Sequence, residues 1–477
     1  MGAHTNFGGN QTWRSRTHRP GSDQEVLEIL QRHAHEQIRP MGSAHSWSNI
    51  AACAGVSLDM AAFDEVHAHE TGGEKRVRVG AGCTLQRLLE RLHAAGDQTL
   101  PTLGVIKRQT IAGAISTGTH GSGRQSLSHF VAGARVAAYD GAGQPQIFEY
   151  RDGDALRAVR CGLACTGIIL SVDLRTVPKY RVEEKLVLHK TLGEVLGRYA
   201  DWPLTQFSLL PYGWDYLVFE RRQLHAGPIG YKALLFRWYN AVWVDRFIHQ
   251  CIRLSAWLGS RAVKALLRTA PWFLIKGVSR IDDAEQVLTM GHDLFRHEEM
   301  ELFVPESRLT DVVEILRVAI EVFAGGDAPV SAPIEAKLRA LGLYDELLRL
   351  RGSYTLHYPL FFRRVLADDT LISMTASTTE PYYSVGVFSY FPPQKRNAYY
   401  AFCGWLARCM FALAGARLHW GKNFPLGFAE TARMYPRMEA FRQFCVQRDP
   451  AGVFRNTYTE RVLGLAPGRV QYIARQA

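Results

Sequence analysis

Two segments rich in glycine and hydroxyl residues constrain this chain more than any other feature. The first, GSAHSWS at 42–48, follows a stretch typical of a strand, and the second is QTIAGAISTGTHGSG at 109–123. Turns of this composition expose consecutive backbone N–H groups, which bind phosphate oxygens. Neither segment contains the GxGxxG of a Rossmann fold or the GxxxxGK[ST] of a P-loop. Together they predict a diphosphate site of another design, although either one alone is equally consistent with an ordinary tight turn.

The length and composition of the chain indicate a large globular protein with a basic surface. Its 477 residues are too many for one ordinary core, so two large lobes are expected. Hydrophobic residues make up 47% and charged residues 21%, which is the balance of a packed protein. The net charge of +11 favours an anionic partner, namely a cofactor phosphate, a membrane surface or nucleic acid. Because nothing resembles a recognition helix or an aromatic single-strand platform, no nucleic-acid partner is expected.

The sequence shows neither a targeting signal nor a metal motif. The first twenty residues lack the apolar core of a signal peptide, and no uncharged apolar run reaches the length of a membrane span. A cytoplasmic location is therefore expected. The cysteines form no CxxC pairs, so they are predicted to be buried thiols rather than disulfides or ligands of zinc, and no metal site is expected. They are Cys53, Cys83, Cys161, Cys165, Cys251, Cys403, Cys409 and Cys445.

The pattern of apolar residues predicts an α+β fold. A helix is predicted over 23–38, where apolar residues recur at helical spacing after a Ser-Asp start. Short strands and turn signals then alternate through the first third of the chain, with one further helix in TLQRLLERLHAAG at 84–96. The stretch VPKYRVEEKLVL at 177–188 is predicted to cross into a second lobe.

The region 231–276 differs from everything around it. It holds four of the ten tryptophans, and eight Lys or Arg residues against the single acid Asp245. On one helical wheel, four of the cations fall within a single quadrant: Arg253, Arg261, Lys264 and Arg268. Two interpretations stay open, a cap helix packed on the second lobe and a helix lying on a membrane surface. The second would place the protein peripherally at the inner face of the membrane.

Several motifs resemble one known family of flavoproteins. GSAHSWS resembles the flavin-attachment loop of the vanillyl-alcohol oxidase and p-cresol methylhydroxylase superfamily. LPTLGVIKRQTIAGAISTGTHGSG at 100–123 is similar to the second FAD-binding stretch of the sugar-1,4-lactone oxidase branch, which includes gulonolactone, arabinonolactone and alditol oxidases. The resemblance continues through HEEMELFVPESR at 297–308, HWGK at 419–422 and DPAGVFRNTYTERVLG at 449–464, so it covers nearly the whole chain.

This resemblance implies a two-lobed FAD enzyme with a covalent cofactor. The FAD-binding domain would span 1–178, a substrate or cap domain built on a β-sheet flanked by helices would span 179–415, and 416–477 would return to the first domain. His45 would bond the 8α-methyl group of the flavin, a role that suits a neutral imidazole nucleophile. The alternative is a histidine that is only hydrogen-bonded in the turn. The implied cofactor-binding residues are Met41, Gly42, Ser43, Ala44, His45, Ser46, Thr110, Gly113, Ser116, Thr117, Gly118, His120, Gly121, Ile168, Ile169, His419 and Lys422.

The resemblance also assigns catalytic roles and shows two departures from the family. Lys422 would stabilise negative charge on the flavin, and Arg363 would polarise the substrate oxygen. Phe361 stands where the family has the Glu of a Glu-x-Arg pair, and Val105 stands where it commonly has Ser. Since a polyhydroxylated sugar would lose two polar partners, a less polar alcohol is the expected substrate.

The function predicted from these residues is an FAD-dependent oxidase of a carbinol-type C–H donor. Gly104 matches the family's oxygen gatekeeper, and because glycine leaves the path open, oxygen is the expected acceptor and hydrogen peroxide the product. Three alternatives remain open: a dehydrogenase that reduces a quinone or cytochrome, an aldonolactone or alditol oxidase proper, and a flavin-binding protein without turnover.

Overall fold

A computed structural model describes residues 1–225, 229–290 and 296–468. The strands are β1 (Gly2–Thr5), β2 (Thr12–His18), β3 (Ile38–Met41), β4 (Val56–Asp59), β5 (Val66–Thr71), β6 (Glu74–Gly80), β7 (Gln98–Thr99), β8 (Val131–Tyr139), β9 (Pro145–Tyr150), β10 (Ile168–Arg175), β11 (Val177–Pro178), β12 (Arg181–His189), β13 (Gln206–Leu209), β14 (Tyr216–Leu224), β15 (Ser279–Asp283), β16 (Glu298–Pro305), β17 (Leu360–Val365), β18 (Tyr382–Ser389) and β19 (Arg417–Leu418). The helices are α1 (Asp23–Arg32), α2 (Leu85–Ala95), α3 (Ile111–Thr117), α4 (Gly153–Val159), α5 (Leu192–Leu196), α6 (Tyr231–Tyr239), α7 (His249–Leu258), α8 (Ser260–Thr269), α9 (Ala284–Leu288), α10 (Leu309–Phe323), α11 (Ala332–Ala340), α12 (Leu343–Arg349), α13 (Asn397–Ala414), α14 (Phe428–Met434), α15 (Met438–Arg448) and α16 (Thr457–Leu463). Helices and sheets mix along the chain, which confirms the α+β prediction.

The first third of the chain builds two sheets on one apolar core. A four-stranded sheet has the order β1-β2-β4-β3, and a five-stranded sheet has the order β5-β6-β10-β8-β9. Helix α1 buries Val26, Ile29 and Leu30 against this core, and Ser22 caps its first turn. The predicted helix over 23–38 is too long, because Ile38–Met41 pairs in parallel with β4 and must be extended.

The second large sheet has eight strands in the order β15-β12-β14-β13-β17-β18-β16-β19. Because side chains alternate along a strand, β16 divides its residues between two environments. Met300, Leu302 and Val304 pack in the apolar core together with helices α10 and α13. Glu299 and Glu301 point to the opposite face, which therefore carries buried charge at these two positions.

The C-terminal segment ties the two halves together. β19 adds to the edge of the eight-stranded sheet, whereas α15 packs on β8 and α4 of the first lobe. The buried guanidinium of Arg39 donates to the carbonyl oxygens of Leu163, at 2.9 Å, and of Phe454. The backbone around residue 454 thereby supports the loop that follows β3. The division at 178 and 415 into domains stays a prediction.

The Trp-rich region folds as a series of helices rather than one. A π-helical stretch, Asn240–Ile248, joins α6 to α7, and Gly259 ends α7 with a φ of +107°. The four cations therefore do not share one helix as predicted, since Gly259 separates Arg253 on α7 from the other three on α8. Lys264 donates to the carbonyl of Ala324 at 3.1 Å and Arg268 to that of Tyr212 at 3.2 Å, so both cations face the protein. Among the described residues, no helix is both long enough and apolar enough to span a bilayer.

All eight cysteines are free thiols, and seven of them are buried. The prediction of unpaired, buried thiols is confirmed for these seven, while Cys251 on α7 is half-buried.

Candidate functional site

A cleft of about 1350 Å³, including its open mouth, runs along the first lobe. Its walls are the segments 39–52, 59–61, 81–84, 109–117 and 163–169, together with parts of the N-terminal hairpin. The two segments rich in glycine and hydroxyl residues, 42–48 and 109–123, thus face each other across one space. Eleven of the predicted cofactor-binding residues line it: Met41, Gly42, Ser43, Ala44, His45, Ser46, Thr110, Gly113, Ser116, Thr117 and Ile169.

Close approach of the two segments depends on the glycine at 42. A Cβ atom built on Gly42 would overlap the side-chain oxygen of Thr110, so no other residue fits without moving one wall. Thr110 in turn caps α3, because its hydroxyl accepts from the N–H of Gly113 at 3.4 Å. The segment predicted as a loop is therefore partly a helix, which ends at Gly118 in the left-handed region with φ +76°.

Two separate parts of the chain, the N-terminal hairpin and the C-terminal segment, hold the loop that carries His45. Ala44 adopts a left-handed φ of +52°, which is unusual for a residue with a side chain. Its carbonyl accepts from the N–H of Phe7 at 2.8 Å, and the Phe7 ring stacks on the His45 ring with centroids 5.1 Å apart. On the other side, the N–H of Trp47 donates to the carbonyl of Gly421 at 2.7 Å. The sequence does not predict the role of Phe7, because the N-terminal hairpin carries no recognisable motif.

A cluster of buried charges lies where the two lobes meet. The Lys422 ammonium contacts the Glu299 carboxylate and lies 3.3 Å from Glu301 Oε2. Glu301 Oε1 lies 3.3 Å from His120 Nε2 and 3.8 Å from Arg363 Nη1. The structure thus brings together three predicted site residues, Lys422, His120 and Arg363. It adds Glu299 and Glu301, which have no predicted role. The sequence signal for these two glutamates is the acidic stretch HEEMELF, to which the resemblance assigns no role.

The two glutamates have opposite protonation tendencies. Burial alone would raise the pKa of Glu301, but Lys422 and His120 hold that pKa well below its usual range. Burial raises the pKa of Glu299, and Lys422 offsets that rise only in part. Burial also lowers the pKa of His419 to about 3. This ring is therefore neutral, and its Nδ1 accepts from the N–H of Gly421 at 3.0 Å.

Three potential ligand atoms, from His120, Glu301 and His419, lie within 4.8 Å of one another. The Lys422 ammonium already neutralises the carboxylate of this group. We therefore assign these residues to the charge cluster and not to a metal site.

Beside the charge cluster, the same face of the eight-stranded sheet becomes aromatic. Phe361 on β17 pairs with Gly386 on β18, and Gly386 pairs with Glu301 on β16. The Phe361 ring lies 5.9 Å from that of Tyr358 and 5.8 Å from that of Phe388. We call the half-buried rings on this side the aromatic wall. It consists of Phe7, His297, Tyr358, Phe361, Phe388 and Tyr390.

The remaining predicted site residues lie around the charge cluster or behind the cleft. Val105, Gly121 and Arg363 line a small cavity beside Gln206, whose amide oxygen accepts from Arg363 Nε at 3.4 Å. A side chain at Gly104 would overlap the methyl group of Thr119. Ile168 is fully buried in the core of the first lobe.

Comparison with known proteins shows the family. The D-arabinono-1,4-lactone oxidase family model matches residues 172–462, and an FAD-binding domain model matches 15–143. The chain belongs to this lactone oxidase family. It is 41% identical to a long-chain alcohol oxidase from an uncultured marine euryarchaeote, with 96% of each chain covered. It is also 25% identical to the L-gulonolactone oxidase of Bos taurus, covering 93% of this chain and 94% of the relative.

The fold is shared with a structurally known flavoenzyme. The crystal structure of cholesterol oxidase from B. sterolicum matches with a TM-score of 0.70 and 15% identity, over 97% of this chain and 96% of that one. These findings confirm the predicted fold class and the resemblance to the sugar lactone oxidases. The protein is an FAD-dependent oxidoreductase that acts on alcohol- or lactone-type donors.

The cleft residues fit the FAD that the family implies. Because Gly42 has no side chain, the first wall of the cleft can approach Thr110 on the second wall closely. Ser116 and Thr117, which carry hydroxyl groups, line the same space. Polar backbone and short hydroxyl side chains suit the phosphates and the ribityl chain of a dinucleotide. The charge cluster and the aromatic wall then lie beyond His45, on the side of the second lobe.

Replacing Gly42 by Ala tests this close approach. Because the added methyl group overlaps Thr110, we expect a loss of roughly 1–3 kcal/mol of stability and a lower FAD content in the purified protein. Thermal unfolding and the ratio of flavin to protein absorbance measure the two effects. Gly141→Ala is the matched control, since nothing lies within 4 Å of its Cβ position. A Gly42→Ala protein with full flavin content and unchanged stability would contradict the assignment.

Proposed function

We propose that this enzyme oxidises long-chain primary alcohols to aldehydes and passes the electrons to oxygen, giving hydrogen peroxide. The observation that carries the proposal is the aromatic wall, because Phe361 stands in the row of the sheet that continues to Glu301. A ligand that lies along these rings is held by apolar contact on one side and by charge at one end. The relative that is 41% identical is a long-chain alcohol oxidase, which supports the same substrate class.

The energetics of the wall favour alkyl chains over sugars. Each methylene group removed from water contributes about 0.8 kcal/mol to binding. A polyol placed against Phe361 and Phe388 would leave hydroxyl groups without partners, and each unpaired polar group costs about 1–3 kcal/mol. This difference supports a long alcohol as the preferred donor over an aldonolactone or an alditol.

The charged side chains have separate roles in this chemistry. When bound, FAD supplies the acceptor for the two electrons that leave the carbinol carbon. Lys422 and Arg363 provide fixed positive charge that stabilises negative charge on the cofactor and on the substrate oxygen. Glu301 keeps both cations in place, since its carboxylate on β16 contacts each of them.

Oxygen as the acceptor rests on Gly104. The methyl group of Thr119 already lies where a Cβ atom of residue 104 would be, so this part of the proposal rests on the match of Gly104 to the family's gatekeeper position and not on an open path. The alternative is a dehydrogenase of the same fold that reduces a quinone or a cytochrome. The exposed apolar surface described below favours that alternative, because such acceptors are found at membranes.

The preferred substrate can be measured through anaerobic flavin reduction by primary alcohols of increasing length, gulonolactone and xylitol. We expect kcat/KM to rise by up to about fourfold per added methylene, the factor that corresponds to about 0.8 kcal/mol. In air, each oxygen consumed should yield one hydrogen peroxide. Phe361→Glu should lower kcat/KM for long alcohols and raise it for xylitol. Phe361→Leu should keep the substrate preference of the wild type. Efficient reduction of the wild type by gulonolactone would refute the substrate assignment.

We also propose that FAD is bonded covalently to His45. The ring lies in the cleft lining, and the backbone strain at Ala44 and the contacts of Phe7 and Trp47 hold it in one place. A fixed imidazole is a competent nucleophile toward the flavin methyl group.

Denaturing gel electrophoresis tests the covalent bond. The wild-type band should fluoresce as a flavoprotein, and His45→Ala should lose this fluorescence while it keeps the fold. His67→Ala, a change at an exposed histidine of β5, should fluoresce like the wild type. If acid precipitation releases all flavin from the wild type, the linkage does not exist.

The third proposal concerns the membrane surface. Of the 18 large hydrophobic side chains that are exposed in the described part of the chain, 13 lie between 229 and 275. So large a cluster of exposed apolar groups marks an interaction site. The sequence of this region carries eight cations and one acid, which complements an anionic lipid surface. The Tyr390 ring of the aromatic wall contacts His249 on α7, with ring centroids 4.2 Å apart, so the wall leads toward this surface.

Co-sedimentation with vesicles that contain anionic lipid tests the membrane contact. We expect binding at low salt, weaker binding at high salt, and a large loss in the double variant Trp257→Ser/Trp272→Ser, whose side chains are 77% and 80% exposed. The matched control is Leu341→Ser/Leu348→Ser, with side chains that are 49% and 46% exposed elsewhere on the second lobe. Equal losses in both double variants, or no binding of the wild type at low salt, would exclude this surface.

A further inference from the structure

We propose that Glu299 binds the hydroxyl group of the alcohol and accepts its proton. It would replace the carboxylate that the family has at the position of Phe361. This inference rests on the proposed function and adds the residue that removes the hydroxyl proton. Glu299 belongs to β16, one strand beyond β18, so it reaches the site from a different strand than the family's Glu-x-Arg pair.

The register of the sheet places the Glu299 carboxylate beside Gly386, a position that has no side chain. Glu299 pairs with Phe388, and the next row on the same face joins Glu301, Gly386 and Phe361. A Cβ atom on Gly386 would lie 3.3 Å from Glu299 Oε1 and 2.9 Å from the Phe388 ring. The carboxylate therefore leans across the glycine toward Phe361. It lies at the end of the aromatic wall where the head group of an apolar chain would be.

Contacts with cations distinguish Glu299 from its neighbour Glu301. Glu301 has three cationic or imidazole partners within 4 Å, namely Lys422, His120 and Arg363. Among the residues that the structure describes, Glu299 has one ion-pair partner, Lys422. A carboxylate held by three such groups is a weak proton acceptor, whereas one held by a single ammonium keeps lone pairs for a hydroxyl group.

The electrostatic environment agrees with this division. Burial raises the pKa of Glu299, and the nearby negative charge of Glu301 raises it further, against the effect of Lys422. Two carboxyl groups whose environments push their pKa values apart are typical of sites with separate acid–base and electrostatic roles. The charged groups that act on Glu299 are Lys422 from the C-terminal segment, Arg363 from β17 and Glu301 from its own strand. His120 from the first lobe and His419 from the C-terminal segment act on the neighbouring Glu301.

The proposed step is balanced. The carbinol C–H bond breaks with both electrons, and the hydride goes to oxidised FAD. The O–H bond breaks toward the Glu299 carboxylate, which becomes a carboxylic acid as the carbonyl double bond of the aldehyde forms. Glu299 then loses this proton to water. Because the carboxylate must be ionised to act, the rate of flavin reduction should rise with pH through the pKa of Glu299 and then level off.

Glu299→Gln and Glu299→Asp test the role by stopped-flow flavin reduction with 1-decanol across pH. Glu299→Gln should lower the limiting rate of flavin reduction by on the order of 10²- to 10⁴-fold. It should also remove the rising limb of the pH–rate profile, called the limb below. Glu299→Asp should restore part of the rate and keep the limb. Glu298→Gln is the control, because burial raises the pKa of Glu298 to about 7 while its carboxylate bonds Arg396 and Tyr400 instead. The control should keep the limb.

Binding of decanoate provides a second readout that needs no turnover. The carboxylate of this probe replaces the hydroxyl group, so it should bind best when Glu299 carries a proton. Its affinity for the wild type should fall by about tenfold per pH unit above the pKa of Glu299, with one proton taken up on binding. The affinity for Glu299→Gln should not depend on pH above the pKa of the free acid.

The outcomes separate this inference from the proposed function. If 1-decanol reduces the wild type and Glu299→Gln equally fast, or if the limb disappears in Glu298→Gln alone, Glu299 is not the proton acceptor. Decanoate affinity that varies with pH in the same way for wild type and Glu299→Gln also overturns it. If no long-chain alcohol reduces the wild type while lactones do, the proposed function fails instead.

Discussion

The buried carboxylate of Glu301 is the interaction on which the rest of the site depends. It accepts contacts from His120 of the first lobe, Arg363 of the large sheet and Lys422 of the C-terminal segment. Removing charges from water is costly, and a buried ion pair that loses one partner costs about 3–5 kcal/mol. The three parts of the chain must therefore be assembled together for the cluster to form, and the same assembly places Lys422 next to Trp47 and the loop of His45.

One face of the eight-stranded sheet combines two kinds of chemistry. At β16 it carries Glu299 and Glu301, and at β17 it carries Phe361 next to Arg363. Gly386 on β18, the strand between them, has no side chain, so the Glu299 carboxylate and the Phe388 ring both lie beside it. Such an arrangement suits a donor with one polar end and a long apolar remainder, because each part meets a partner of its own kind.

Several features could be predicted from the sequence because they are local. The segment around His45 and the segment around Thr110 were predicted to bind phosphate, and both line the cleft. Helix α2 lies where TLQRLLERLHAAG predicts one, with Thr84 as its cap. The prediction failed at 33–38, where the helix ends at Arg32 and Ile38 already pairs with β4, and at 111–117, where Thr110 begins a helix inside a segment read as a loop.

The sequence by itself determined the family, the cofactor class and the loss of the acidic residue at Phe361, since each is written in a short contiguous motif. The tertiary structure alone decided that Glu299 lies over Gly386 and that Lys422 pairs with both glutamates. Cross-strand neighbours depend on register, and a slip of one residue moves every side chain of a strand to the other face. Register is fixed by the packing of the whole sheet against its helices, so no local pattern in HEEMELF reveals which residues of other strands lie beside Glu299 and Glu301.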